Sequence, residues 1–261
     1  MVKKIRLLQI GFAITIFILA FTMYYLVKEK IFKPKPKIAI VIDDWGYNLN
    51  NLEALFQIKK PITVAVLPNL RYSKYIASEA KKEGHEVILH LPLESKSNKN
   101  PESGTVRCNM TEAEVTVRLQ KAFKSVPMAS GVNNHQGSKA TENTRVMKTV
   151  LSYIKKRKLF FLDSVTTGRS ICAQACKDAG VRYAERDVFL DLPQRKTKGK
   201  NLENYIRGQL YKLVEEAMAK GYAIGIGHDR PTTLRIVRET MPELEKRGIK
   251  IVRVSELARK Q

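Results

Sequence analysis

Lys37–Gly46 reads KIAIVIDDWG: five apolar residues, Ile38 to Ile42, run into two adjacent carboxylates, Asp43 and Asp44, and then a Trp-Gly turn. An unbroken apolar run of this length fits a strand covered on both faces, as in a parallel sheet layered with helices. Successive side chains of a strand point to opposite faces. Asp43 and Asp44 can therefore meet at one site only where the chain bends at the strand's C-terminal end. Taken alone, the pair reads first as a solvated strand end, with Asp44 starting a turn or capping a helix. Its weight depends on what the other strands end in.

Strand-like stretches follow at Ile62–Leu67, Glu86–Leu91, Ala129–Asn134, Leu159–Asp163, Val181–Ala184, Val188–Leu190, Tyr222–Gly227 and Ile249–Val252. Helical stretches fall between most of them, at Asn48–Gln57, Tyr72–Glu83, Thr111–Lys124, Glu142–Lys156, Cys172–Ala179, Leu202–Ala219 and Thr232–Lys246. Thr111 and Glu114 have the capping-box spacing. Such alternation predicts an α/β fold with a parallel sheet under helices. One domain over residues 38–261, with about seven parallel strands, fits a (β/α) barrel better than an open sheet.

Residues 1–30 stand apart from that domain. Ile10–Val27 carries no charge, with Lys3, Lys4 and Arg6 before it and Lys28 and Lys30 after it. As a helix it would extend roughly 27 Å at about 1.5 Å per residue, close to the hydrocarbon thickness of a bilayer. No A-x-A-like cleavage site and no lipid-carrying Cys follow it, so one N-terminal transmembrane helix is expected, with a signal sequence as the alternative. Residues 31–37, ending in KPKPK, read as a Lys/Pro linker. Basic residues on both sides leave the positive-inside rule without a clear vote. A periplasmic or other extracytoplasmic main domain is expected from its chemistry alone.

The chain carries 47 Lys and Arg against 25 Asp and Glu, a formal net charge of +22, and stays strongly basic without its first 37 residues. Such a surface attracts anionic polymers, anionic lipids or phosphate-rich envelope components. The basic residues are dispersed and no aromatic-interleaved basic motif occurs, so nucleic acid is not the expected partner. Cys108, Cys172 and Cys176 form neither a disulfide framework nor a zinc-ribbon spacing. The last two sit four apart on a helix, where packing is the common role.

In a parallel barrel the strand C-terminal ends share one face. His90, His135 and His228 lie at or just past such ends, Asp43 and Asp44 close the first strand, and Asp163 closes the fifth. Five strands thus aim ionisable groups at one rim. A divalent, zinc-like ion takes imidazole nitrogens and a carboxylate oxygen and acidifies a coordinated water. Asp44, His90 and His135 form such a set. Glu94, four residues past His90, is a further candidate ligand, while Asp163 and Asn134 are candidates for supporting contacts around the ligands.

Two motifs are decoys. HEVILH, from His85, is one residue longer than H-E-x-x-H and lies on a strand. Gly225, Gly227 and Arg230 spell G-x-G-x-x-R, which is not the dinucleotide fingerprint. Neither G-x-S-x-G nor a phosphate-binding G-x-x-x-x-G-K is present.

IVIDDWG, HLPLE, GVNNHQGS, FFLDS, ERDVFLD and AIGIGHDRPTT occur in this order. Together they resemble the divergent polysaccharide deacetylase family, a branch of the polysaccharide deacetylase superfamily, over residues 37–257. The resemblance implies a distorted (β/α) barrel and metal-dependent removal of acetyl groups from N-acetylated sugars, with zinc as the expected metal. Carried over by position, it implies Asp43 as catalytic base, Asp44 as metal ligand and His228 as general acid. The superfamily's H-x-x-x-H pair is met here by His90 and Glu94, and His135 is the replacement second histidine ligand because it follows the neighbouring strand. The superfamily's Arg- and Trp-containing motif has no evident counterpart.

The expected partners are an N-acetylated glycan and, through the N-terminal helix, a membrane. Two other classes fit the same residues. One is a non-catalytic, membrane-anchored glycan-binding or scaffold protein of the envelope. The other is a metal hydrolase of another bond, since fold and metal do not fix which bond is cut.

Overall fold

Residues 11–12, 14–24, 34–97, 100–193 and 197–260 are described by the structure, a computed structural model. The chain divides into two compact units, residues 1–35 and 36–261. In the first, residues 11–12 and 14–24 are helical, and Phe12, Phe17, Leu19 and Met23 are exposed. Among the described residues no helix is long and apolar enough to cross a membrane. The expected span Ile10–Val27 is described only in part, because residues 10, 13 and 25–27, like Lys33 of the linker, lie outside the described residues.

The second unit begins inside the expected linker. The Pro36 carbonyl accepts the Lys250 amide at 2.8 Å, and Lys37 already belongs to the first strand, β1 (Lys37–Trp45). The other strands are β2 (Thr63–Val66), β3 (Glu86–Leu93), β4 (Gly131–Gln136), β5 (Phe160–Asp163), β6 (Arg182–Glu185), β7 (Val188–Phe189), β8 (Tyr222–His228) and β9 (Lys250–Val252). Their order is β6-β5-β4-β3-β2-β1-β8-β7, every pairing is parallel, and β9 pairs with the start of β1. The nine strands exceed the expected barrel of about seven by the two-residue β7 and the three-residue β9, although the strand-like stretches Val188–Leu190 and Ile249–Val252 already mark both places in the sequence.

The sheet curls into an incomplete barrel. Its edge strands β6 and β7 are not paired with each other, yet only Arg186 and Asp187 separate them in sequence. A two-residue connection holds those edges within roughly 10 Å, so the chain itself closes the ring where hydrogen bonds do not. The Arg186 amide donates to the Asp163 carbonyl on β5, beside one edge strand, and the Asp187 amide to the Ile224 carbonyl on β8, beside the other.

Helices cover the outer face: α1 (Leu52–Phe56), α2 (Ser73–Lys82), α3 (Glu112–Ser125), α4 (Thr144–Lys156), α5 (Cys172–Ala179), α6 (Gly199–Lys220) and α7 (Pro231–Lys246). Thr111 and Glu114 cap α3 reciprocally, as their spacing predicts. The first helix is far shorter than Asn48–Gln57 because its asparagines bond elsewhere. Asn48 Oδ1 accepts the Asn50 amide, and Asn51 reaches Asp229. Gly225 and Gly227 earn their place by packing: a Cβ at Gly225 would stand 2.8 Å from Leu213 of α6, and one at Gly227 2.8 Å from Thr233 of α7.

Strand alternation sorts the core into two layers. Ile38, Ile40 and Ile42 face the helices, whereas Ala39, Val41, Ala65, Ile88, Phe160, Leu162, Ile224 and Ile226 fill the barrel interior. Extending the interior series by two residues reaches Asp43 on β1, His90 on β3 and His228 on β8. Register agrees, since Asp43 pairs with His228 and His90 with Asn133. The apolar interior thus ends in a layer of ionisable and amide side chains.

Candidate active site

Asp43 and Asp44 share this layer through a bulge. The register of β1 against β2 passes from Ile42 opposite Val64 to Trp45 opposite Val66, so β1 carries one extra residue. Asp44 takes a positive φ of 70°, which Asp tolerates better than most residues. The kink turns Asp44 toward the site and returns Trp45 to full burial.

Asp44, His90 and His135 form a tight triangle. Asp44 Oδ1 lies 3.2 Å from His90 Nε2 and 3.1 Å from His135 Nδ1, and the two nitrogens are 3.0 Å apart. Four-coordinate zinc bonds such atoms at about 2.0–2.2 Å, which sets them roughly 3.3–3.5 Å from one another. The three atoms therefore match one tetrahedral face to within a few tenths of an ångström, and the donor set of two imidazoles and a carboxylate suits a zinc-like ion. Burial alone would raise the Asp44 carboxyl, but hydrogen bonds from His135 and His90 hold it far below the usual carboxylate range. Burial would lower His90, yet the charges of Asp43 and Asp44 win and push it up to about 9. The surroundings of His90 stabilise positive charge.

Asp43 is 2% exposed and sits behind this triangle, 3.6 Å from His90 Nε2. Burial raises its carboxyl above 3.8 despite the pull of His90 and His228. His228 is held by Asp191, which is fully buried: Asp191 Oδ1 faces His228 Nδ1 at 2.7 Å, and Oδ2 accepts the His228 amide at 3.0 Å and the Thr233 hydroxyl at 2.7 Å. Burial would lower His228, but the hydrogen bond and charge of Asp191 raise it above 6.5. Phe189 stacks on the His228 ring at 6.1 Å, and the Arg186 guanidinium covers Phe189 at 3.7 Å. Asp229 donates its amide to the Asp43 carbonyl, while burial pushes its own carboxyl up to about 6.

Three expected participants stand elsewhere. Glu94 Oε2 accepts the Cys108 amide at 2.6 Å and Oε1 the Lys139 ammonium at 2.8 Å, so it ties loops together outside the triangle. Asp163 orients no histidine. Leu162 points into the barrel, and alternation turns Asp163 outward, where it accepts the Val165 amide and the Ser170 hydroxyl. Val165 is β-branched with a φ of 48°, a conformation that costs roughly 1–3 kcal/mol and persists only where neighbours enforce it. Asp163 holds its amide and Arg186 its carbonyl. Asn134 bonds Ser164 and Gln136, not a ligand.

Asn133 and Asp191 are the site residues that the sequence reading passed over. Asn133 has the interior parity of its paired neighbour His90, and Asp191 closes the ERDVFLD stretch, so a signal existed for both.

A family model for divergent polysaccharide deacetylases matches residues 40–258. The chain belongs to the divergent polysaccharide deacetylase family. The Escherichia coli (strain K12) protein YibQ, itself uncharacterised, is 37% identical over 221 residues, covering 85% of this chain and 67% of YibQ. Among solved structures, the uncharacterised protein ATU2773 of Agrobacterium tumefaciens C58 is 25% identical with a TM-score of 0.79, covering 86% of this chain and 89% of that one. The catalytic domain of a peptidoglycan N-acetylglucosamine deacetylase from Eubacterium rectale aligns with a TM-score of 0.52 at 13% identity, over 84% and 88% of the two chains, which shows a shared fold. In this divergent polysaccharide deacetylase, deacetylase-like carbohydrate chemistry and a three-residue candidate metal site go together.

Proposed function

We propose that the protein is a metal-dependent N-deacetylase of an N-acetylated envelope glycan, anchored by its N-terminal segment with the catalytic domain outside the cytoplasmic membrane. The observation that carries this reading is the triangle of Asp44, His90 and His135, with two further ionisable groups, Asp43 and His228, in the same layer. A divalent ion, zinc by the donor set, would be held by those three residues and would polarise the acetyl carbonyl and acidify a water.

The chain's own residues supply the proton transfers. Asp43, ionised once a cation balances its burial, accepts the proton of the attacking water. His228 faces Asp191 through Nδ1, which leaves Nε2 for the substrate, and the Asp191 carboxylate favours its protonated form. It donates that proton to the departing amine, which cannot leave as an anion. Asp191 keeps the ring oriented and stabilises its imidazolium. The rim beside Asp44 presents Tyr47, whose hydroxyl bonds Glu102 and which remains half exposed, a surface suited to a sugar face.

Acetate release from acetylated glycan oligomers by the full chain tests the reading. Activity should fall about 10²–10⁴-fold in Asp43→Asn, the range expected for loss of a general base. Equal turnover by Asp43→Asn and wild type would remove Asp43 from the chemistry.

A further inference from the structure

Asn133 is fully buried at the centre of the site, and its carboxamide has a partner on each side. Nδ2 donates to Asp43 Oδ1 at 2.9 Å, Oδ1 lies 2.8 Å from His90 Nδ1, and the second Nδ2 hydrogen points toward Ser164 Oγ at 3.4 Å. Ser164 is fixed in turn: its hydroxyl donates to the Asn134 carbonyl at 2.9 Å and its amide to Asn134 Oδ1 at 2.8 Å. The Ser164 hydroxyl proton is thereby engaged, which leaves its lone pair for Asn133.

These contacts leave the amide one orientation. Ser164 Oγ, its proton engaged, can only accept, so Nδ2 must face it and Asp43, and Oδ1 must then face His90. An acceptor opposite His90 Nδ1 requires that nitrogen to carry hydrogen. In the neutral imidazole, the form that can ligate a cation, the Nε2 lone pair is then the one turned toward Asp44 and His135. Reversing the amide would set its oxygen against the Asp43 carboxylate.

We propose that Asn133 is a positioning residue that fixes the proton arrangement of the base and of a metal ligand through a single side chain. One end holds Asp43 as an oriented acceptor, and the other holds His90 with Nδ1–H and its Nε2 free for a divalent cation. The assignment rests on the metal-dependent reading of the site, but its test separates from that reading because the two ends can be altered independently.

The experiment measures zinc affinity of the full chain by chelator competition, for wild type, Asn133→Ala and Asn133→Asp, alongside turnover at saturating zinc. Asn133→Ala removes both partners, and zinc should bind 10- to 100-fold more weakly, the usual cost of losing a group that orients a ligating histidine. Asn133→Asp keeps an acceptor for His90 Nδ1–H but sets a carboxylate against Asp43. It should recover zinc affinity to within about threefold of wild type while kcat stays at least tenfold down with KM little changed. Equal zinc affinity in wild type and Asn133→Ala would overturn the proposal. So would equal loss of affinity in both variants, which marks a residue that only fills space. The zinc comparison decides the matter even if wild type releases no acetate, an outcome that would count against the deacetylase reading alone.

Discussion

Two buried histidines, one just before strand β3 and one within it, lie toward opposite ends of the barrel and have opposite fates. His85, just before the strand, lies at the N-terminal end and is 5% exposed; burial lowers its pKa, and its Nδ1 accepts only the Ile62 amide at 3.4 Å. Its neighbour Glu86 is satisfied by the Thr63 hydroxyl at 2.9 Å, the Ser130 hydroxyl at 3.2 Å and the Ser255 amide at 3.2 Å. His90, five residues on, is 2% exposed but pressed between two carboxylates and pushed up to about 9. Burial is the same; the partners differ. At one end the buried Glu86 carboxylate is met by neutral donors, and at the other carboxylates and imidazoles crowd within 3.0–3.6 Å with no neutral group to separate Asp44 from its histidines. Closely spaced ionisable groups of this kind are what a candidate site for cation binding or proton transfer looks like.

The contrast can be broken most directly at the rim. Asp191→Asn should lower turnover at least about tenfold, because the acid loses its orienting carboxylate. It should also move the pH profile. His228 acts as an acid only while protonated, and its folded pKa stands above 6.5, so activity falls as pH rises through that raised value. Removing the Asp191 charge should shift this alkaline limb to lower pH. An unmoved limb would show that another group donates the proton.

The N-terminal end should respond in stability alone. His85→Ala leaves a small cavity under β3 and should cost roughly 1–3 kcal/mol in denaturant unfolding, with zinc affinity unchanged. A loss of zinc affinity in that variant would erase the distinction between the two ends.

Much of this contrast was legible in the sequence. The apolar run ending in Asp43 and Asp44, and the gathering of His90, His135 and His228 toward strand C-terminal ends, follow from strand periodicity and from parallel topology, although all three histidines lie within their strands and not past them. HEVILH does not act as a unit: His85 precedes β3 and bonds the Ile62 amide, while His90 lies with Asp44 and His135 toward the other end. Other features depend on tertiary detail. The bulge that unites the two aspartates is a register shift between β1 and β2, visible only once the strands are paired. Asp163 and Glu94 have the right residue type near the right strand ends, but parity in one case and loop contacts in the other draw them away. Asn133 carries no charge and so gave no electrostatic cue, although its place two residues before His135 gave it interior parity.

The central claim is that Asp44, His90 and His135 hold one divalent ion. Bound zinc per chain should be measured on the full-length wild type and on Asp44→Ala and His135→Ala, at neutral pH and again below pH 5, where ligand protonation competes with metal. The account predicts about one ion per chain in the wild type, lost in both variants and released on acidification. Zinc retained at wild-type stoichiometry in both variants would contradict it.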